Sequence, residues 1–436
     1  MRIKRLRVFV MAVPFVAAAT VWAGSWATQA TLATNAYQGS VAIDASGNLV
    51  AVWYQNGVNE IWASTSAVGK SWAAPTDISG GTSSATGNPT VRMSASGNAT
   101  AIYTSPTIGA AYVDKPAGGA WKSPLSTNGV KTFYVSNDSG VEGLAWGTGG
   151  ARASSSTVVA ISRPAGGVWS APATLASAPH LAFDGAIVAP DGSMDVAWES
   201  FNSTCGSRTC TTSNWVLHVS TLAAGSQTWV DSGPLLGPDT TQHFTQLAAD
   251  SLGDLGAISL RAGNVVSIVR HGSTWSSAVT VVSDSTFQFY TGTGRDNRIF
   301  ASDSQGHATL VGWGDIHLLT LAAIDGNLTT NTWGSPGTIS GSDQYPGYFE
   351  FAMSSSGASI VFYPLPLASS NTPWHAITRS GAGKPWSAPA TAGTSFEGGG
   401  NPDSVTINAA GQAAVVFHGY SSDYTTYIQY TNSYQP

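Results

Sequence analysis

Charge is scarce in this chain. Of its 436 residues, 18 are Lys or Arg and 24 are Asp or Glu, 10% in all, against roughly a quarter in ordinary soluble domains. Four of the cations, Arg2, Lys4, Arg5 and Arg7, precede the first acid, Asp44. Without them 14 basic residues face 24 acidic ones, and the formal net charge moves from −6 to −10. That balance excludes a nucleic-acid binder or a partner of anionic lipid, each of which needs a dense basic face. Cysteine is limited to Cys205 and Cys210, in the segment CGSRTC. Two thiols exclude a disulfide-dense scaffold and fall short of a four-ligand metal set, so a local disulfide is expected and no metal. The chain also lacks a phosphate-cradling glycine loop, a His-x-x-x-His pair and a Gly-x-Ser-x-Gly elbow, and no cofactor is implied.

Long apolar runs are missing too, with one exception. MRIKRLR is followed by VFVMAVPFVAAATV at residues 8–21 and then by Val21-Trp22-Ala23. This is the basic, apolar and small-residue order of a secretory signal over residues 1–23, cut after Ala23 or, alternatively, after Ala27. Residues 24–436 are then a single exported domain with no membrane span, expected in the periplasm, at the cell surface or in the medium.

What the chain has in quantity is repetition. A turn glycine recurs at Gly47, Gly97, Gly140, Gly192, Gly253, Gly306, Gly357 and Gly411. A tryptophan recurs at Trp72, Trp121, Trp169, Trp229, Trp275, Trp333 and Trp386, one in every gap. Within each unit apolar residues alternate with small or polar ones, as at Val41, Ile43, Leu49, Ala51 and Trp53, which is the period of a half-buried strand. DASGN, SASGN, NDSG and NAAGQ are hairpin turns. In these turns Asp44, Asp138, Asp191 and Asp303 are expected to cap backbone N–H groups rather than bind calcium.

Each unit thus reads as four short antiparallel strands, the fourth beginning near the tryptophan. Repetition at about 50 residues is the pattern of an all-β propeller. The last unit stops before any tryptophan strand, while SWATQATLA near the N-terminus parallels VWSAPATLA at residues 168–176. The first mature strand is therefore expected to complete the last blade and close the ring, with Trp26 as the eighth tryptophan. The prediction is eight blades, or seven if residues 245–284 are not a full blade. The repeated tryptophans are assigned to packing between blades.

The pieces Gly69-Lys-Ser-Trp72, Gly118-Gly-Ala-Trp121, Gly166-Gly-Val-Trp169, Gly272-Ser-Thr-Trp275 and Gly383-Lys-Pro-Trp386 resemble the end of the Asp-box, Ser-x-Asp-x-Gly-x-x-Trp, of the sialidase-like (BNR-repeat) propellers. The motif's Asp is replaced by Ala67, Pro116, Pro164, Arg270 and Gly381. The resemblance implies a propeller, and it implies glycoside hydrolysis as an alternative function. That activity would need three arginines about a substrate carboxylate, a Tyr–Glu pair and an acid. Arg163, Arg270 and Arg379 fall at scaffold turns, which leaves Arg92, Arg261, Arg295 and Arg298.

Hairpin turns and GxxW turns define one face of the ring, and variable connections define the other, where binding residues usually lie. Just before the inner strands stand Tyr37, Phe133, Tyr134, His180, His243, Phe244, Tyr290, Tyr345, Tyr348 and Phe396, with Arg295, Asp296, Glu350, Glu397 and Asp403 as polar partners. Flat apolar faces with a few directional polar groups suit a glycan. Equally, the rings plug a wide opening. The reading is a monomeric, secreted binding module for an extracellular glycan or protein, with a sialidase-like hydrolase as the alternative and a purely structural envelope component as a third possibility.

Overall fold

The computed structural model describes residues 24–436 except 82–85, 106–108, 128–132, 150, 208, 241–243, 262, 284–298, 316–319, 342–347, 366–370, 397–401 and 422–425. Among the described residues there is no helix, and the strands form eight antiparallel blades in a ring. Blade 1 consists of Ala36–Ile43, Leu49–Gln55, Glu60–Ser66 and Thr76–Asp77. Blades 2, 3 and 4 begin at Thr86–Met93, Phe133–Ser136 and Leu181–Val188, and blades 5, 6, 7 and 8 at Thr245–Ala249, Phe300–Ser302, Glu350–Met353 and Pro402–Ile407. These first strands are innermost; those of blades 1, 2, 3, 6, 7 and 8 line the central channel. Residues 245–283 make a full blade of Thr245–Ala249, Leu255–Arg261, Asn264–His271 and the paired pieces Thr274–Trp275 and Val279–Ser283, so eight blades stand and not seven.

Blade 8 supplies three strands from the C-terminal end, the last being Tyr427–Gln435, and the N-terminal pieces Ser25–Trp26 and Ala30–Thr34 pair antiparallel with it. Trp26 lies opposite Tyr434 and Thr34 opposite Ile428. A ring joined in this way leaves no outer blade without a neighbour.

Local chemistry explains the inner hairpins. Asp44 accepts from the backbone N–H of Ser46 (2.9 Å) and Asn48 (2.8 Å), and Gly47 takes φ 87° to finish the turn. Asp303 does the same for Gln305 and His307. The eight turn glycines all have φ between 79° and 90°, and a Cβ on Gly306 would also lie 2.9 Å from Oδ2 of Asp250 in the preceding blade. Both reasons demand glycine there. One of the expected caps shifts. Asn137, not Asp138, accepts from Val141, and Asp138 offers its carbonyl to Ala95 of the preceding hairpin (2.8 Å). Asp191 caps the backbone N–H of Ser193 as expected, and Asp250 adds a further cap on Leu252 and Asp254.

In the GxxW turns, glycines such as Gly69 (φ 68°) and Gly118 (φ 66°) are again left-handed. The carbonyls of Ala67, Pro116, Pro164 and Gly381 close these turns where the Asp-box has a carboxylate. The tryptophans lie in the first piece of the fourth strand in blades 4, 5, 6 and 8; in blades 1, 2, 3 and 7 they precede it. Each packs half-buried on an apolar cluster between blades: Trp121 on Val52, Ile61 and Val91, for example, and Trp169 on Ile102, Leu144 and Ile161.

Three gaps between blades also carry a buried arginine. Arg163 reaches from blade 3 to Asp114 of blade 2, Arg270 from blade 5 to Asp195 of blade 4, and Arg379 from blade 7 to Asp325 of blade 6. Each also bonds a threonine of that same blade (Thr100, Thr221, Thr309), and each guanidinium lies over a repeat tryptophan (Trp169, Trp275, Trp386) at 4.6–5.9 Å. Burial is strong enough that Asp195 is held above the ordinary carboxylate value despite Arg270. These three arginines are therefore structural ties.

The insertion around the two cysteines is not a loop. Met194–Cys205 and Cys210–Leu222 continue as one long hairpin with Cys205 directly opposite Cys210, and the two are disulfide-bonded.

Candidate functional site

On the variable-connection face, the seam between blades 8 and 1 brings four tyrosines together. Tyr37 begins the inner strand of blade 1, which carries a bulge between Tyr37 and Ser40 with Gln38 at φ 63°. Gly39 makes the bulge possible, because a Cβ there would lie 2.4 Å from Cγ1 of Val416. The bulge sets the Tyr37 ring 5.3 Å from both Tyr54 and Tyr427. Tyr427 lies 4.5 Å from Tyr420, and their hydroxyls share a 2.7 Å hydrogen bond. That bond and partial burial push the Tyr427 phenol above its ordinary value, and burial does the same for Tyr54. Both stay neutral donors and acceptors near neutral pH.

Beneath the rings is a fixed polar group. Asp403, 3% exposed, accepts from Nε2 of Gln429 (2.8 Å), and its other oxygen lies 3.0 Å from Nδ1 of His418. His418 stands edge-on to Tyr427 at 5.9 Å. On the far side of Tyr54 its hydroxyl donates to Asn59, and Asn35 donates to the carbonyl of Asn56 (2.9 Å). The result is a half-exposed row of phenol rings, Tyr37, Tyr427 and Tyr420, edged by amides and anchored by a buried carboxylate.

The other residues singled out from the sequence are dispersed. Phe133 packs against Phe183 (5.8 Å) and the core between blades 3 and 4. Tyr134 is buried and donates to Glu142 within the blade 3 network. His180 stacks on Phe201 (5.5 Å), which stacks on Trp215 (4.0 Å). Phe244 lies half-buried against the core of blades 5 to 7. Glu350 is buried at the start of the innermost strand of blade 7 and lines the channel, and Tyr348 is half-buried just before it. Phe396 ends the last strand of blade 7 and bridges Tyr420. His243, Tyr290, Arg295, Asp296, Tyr345 and Glu397 lie outside the described residues. Tyr54, His418, Tyr420, Tyr427 and Gln429 were missed. Their signal was present in the alternation of FHGY and TTYIQY, which places polar aromatic residues at one end of two neighbouring strands.

A second polar group lies between blades 4 and 5. Glu199 is fully buried, and Nη2 of Arg261 lies 3.4 Å from it, while Nε and Nη1 of Arg261 are buried without a hydrogen-bond partner among the described residues. Asp184 sits in the bulge of the blade 4 inner strand. Burial, and then the Glu199 charge, hold its carboxyl well above the usual range, with Thr245 and Arg261 acting against them. Folded Asp184 therefore keeps a proton that the unfolded chain begins to release at pH 3.8. Its stabilising effect is whole below that pH and is lost as pH rises through the folded value. Asp184→Asn is expected to raise the unfolding free energy measured in urea at neutral pH by about 1–3 kcal/mol, with the gain shrinking toward pH 3.8. A variant no more stable than its parent at neutral pH would show that the carboxyl is not burdened by its surroundings.

No helix among the described residues is long and apolar enough to cross a membrane, and no cluster of three metal-ligating side chains occurs among them. No protein-family model matches the sequence, and neither does any curated protein. Solved structures do match. The BP39L lectin from Burkholderia pseudomallei superposes with a TM-score of 0.51 at 11% identity, over 83% of this chain and 100% of that one. The β-propeller domain of the Trilobed protease from Pyrococcus furiosus gives 0.49 at 8% identity, over 82% and 98%. The polysaccharide lyase Uly1 gives 0.41 at 10% identity, over 79% and 88%. The likeness to BP39L is one of fold, and the sialidase-like resemblance of the turn motifs likewise reaches the propeller and goes no further.

Proposed function

We propose that this protein is an exported glycan-binding module whose ligand lies on the tyrosine row at the seam of blades 8 and 1. One observation carries the reading: Tyr37, Tyr427 and Tyr420 present half-exposed rings, with the hydroxyls of Tyr420 and Tyr427 bonded to each other and the buried Asp403 holding Gln429 and His418 beneath them. Ring faces cover the C–H faces of a sugar, and the fixed polar groups bond its hydroxyls. An extracellular protein is the other partner such a surface admits. Export rests on the leader-like residues 1–23, and the disulfide is compatible with an oxidising compartment. The sialidase-like alternative lacks its arginine triad as far as Arg163, Arg270 and Arg379 are concerned, since all three tie blades together.

A glycan array probed with residues 24–436 is expected to return a restricted set of neutral oligosaccharides. The double variant Tyr37→Ala/Tyr427→Ala should weaken the best of them at least tenfold, about 1.4 kcal/mol or more, with an unchanged urea midpoint. Undiminished binding in that variant would remove the tyrosine row as the site. Turnover of a fluorogenic sialoside by the purified protein would replace binding by hydrolysis as the function.

A further inference from the structure

The arginine tie at gap 2/3 adjoins a cavity. On the hairpin face, opposite the tyrosine row, a cavity of about 80 Å³ opens between blades 2 and 3, lined by Arg92, Lys115, Lys122 and Arg163 together with Ser136 and Ser139. Four of the 14 cations beyond Arg7 thus surround one small cavity in an acidic protein. The two acids in its wall, Asp114 and Glu142, are both engaged by Arg163, so positive charge is in excess. The volume accommodates roughly five waters or one tetrahedral oxyanion.

Unlike Arg163, Lys115 and Lys122 are not part of the repeated frame. Lys122 follows Trp121 where blades 3, 5 and 7 have Ser170, Ser276 and Ser387. Those hydroxyls accept from the backbone N–H groups of Ser162, Val269 and Thr378 at 3.0–3.1 Å, a hook that Lys122 gives up. Lys115, opposite Ala99, holds the strand position of Arg163, Arg270 and Arg379. The blade it faces, however, offers Val50 and Thr65 where blade 2 offers Thr100 and Asp114 to Arg163. Among the described residues neither lysine has a carboxylate partner. A repeated residue is accounted for by the frame, and a cationic departure from the repeat that lines a cavity calls for an anion.

We propose that this cavity binds a single sulfate or phosphate group, either carried on a sugar or free in solution. The site is separate from the tyrosine row and does not depend on it. Calorimetric titration of residues 24–436 with sodium sulfate, sodium phosphate and N-acetylglucosamine 6-sulfate, with N-acetylglucosamine as the control, tests it. Binding of at least one anion is expected, weakening as sodium chloride is added. Lys122→Ser restores the residue of three sister blades and should fold; combined with Lys115→Gln it is expected to weaken binding about tenfold or more. Tyr37→Ala/Tyr427→Ala should leave it unchanged. Tighter binding of the sugar sulfate than of both inorganic ions would assign the ligand to a modified glycan, and equal binding would assign it to a free ion. Absence of binding by all three anions at millimolar concentration, or equal affinity in the lysine variants, overturns the proposal.

Discussion

Arg163→Met is expected to destabilise the protein by about 3–5 kcal/mol. The guanidinium is 3% exposed and bonds Asp114 through Nη2 (2.7 Å) and Nη1 (3.2 Å), Thr100 through Nη2 (2.7 Å) and Glu142 through Nε. It also lies over the rings of Tyr112 (4.9 Å) and Trp169 (5.0 Å). Burial lowers its proton affinity, but Asp114 and Glu142 outweigh that and hold it above the ordinary value. Methionine keeps much of the side-chain volume and removes the charge. Glu142, 6% exposed, would keep only the hydroxyl of Tyr134 at 2.9 Å. An uncompensated buried carboxylate accounts for most of the expected loss, and the threonine and ring contacts for the rest.

The triple variant Arg163→Met/Asp114→Asn/Glu142→Gln separates these contributions. With no charge left to orphan, it should recover most of the lost stability, because a buried ion pair is worth little against a neutral replacement of similar shape. Urea unfolding followed by tryptophan fluorescence reads both variants. A single variant within about 1 kcal/mol of the parent would mean that the apolar gap alone holds blades 2 and 3 together.

These ties also mark what was legible in the sequence. Blade number and closure could be read because each strand advertises itself locally: Gly47 and its counterparts need a left-handed turn, and Val41, Ile43, Leu49 and Ala51 keep a period of two. The ties could not be read in that way, because Arg163 and Asp114 lie a whole blade apart and only the ring brings them together. A signal did exist. Arg163, Arg270 and Arg379 recur at every second blade, and the acid and threonine stand in the blades between. The period of the ties is two repeat lengths, not one.

The candidate site divides similarly. Tyr37 and Asp403 were legible because they stand at the starts of inner strands, Ala36–Ile43 and Pro402–Ile407. Tyr427 and Tyr420 were missed because they belong to a different hairpin, and contact between Tyr37 and Tyr427, at opposite ends of the chain, exists only once the ring is shut. Lys122 was hidden for the opposite reason, being an interruption in a repeat that was read for its regularities.

Loss of residues 24–34 is expected to have the largest effect of any change considered, because it reopens the ring. Six residue pairs join this segment to Tyr427–Gln435: Ser25 with Gln435, Trp26 with Tyr434, Ala30 with Thr431, Thr31 with Tyr430, Ala33 with Gln429 and Thr34 with Ile428. Leu32, 8% exposed, enters the core between blades 8 and 1, and the Trp26 ring lies 5.4 Å from that of Tyr434. Gln29 adds a tie to blade 7, its side-chain amide accepting from Thr394 N–H (2.8 Å) and donating to Thr394 C=O (2.9 Å). Removing Leu32 alone should cost about 2–5 kcal/mol, and the strand left behind would present an unpaired edge open to a second chain.

A chain starting at Asn35 is therefore expected to unfold at much lower urea and to associate on concentration, as read by light scattering. A synthetic peptide of residues 24–34 should restore the monomer saturably by adding the missing strand. A chain starting at Thr28 keeps Ala30–Thr34 and loses the Ser25 and Trp26 pairs, the Ala27 N–H bond to Ser433 and the Trp26 ring contact, so it should fall between the two. That ordering bears on the leader as well, since cleavage after Ala27 would discard Trp26 and cleavage after Ala23 would keep it. If the chain from Asn35 is as stable and as monomeric as the chain from Gly24, blade 8 holds its place without the N-terminal strand and the seam beneath the tyrosine row is not what shapes it.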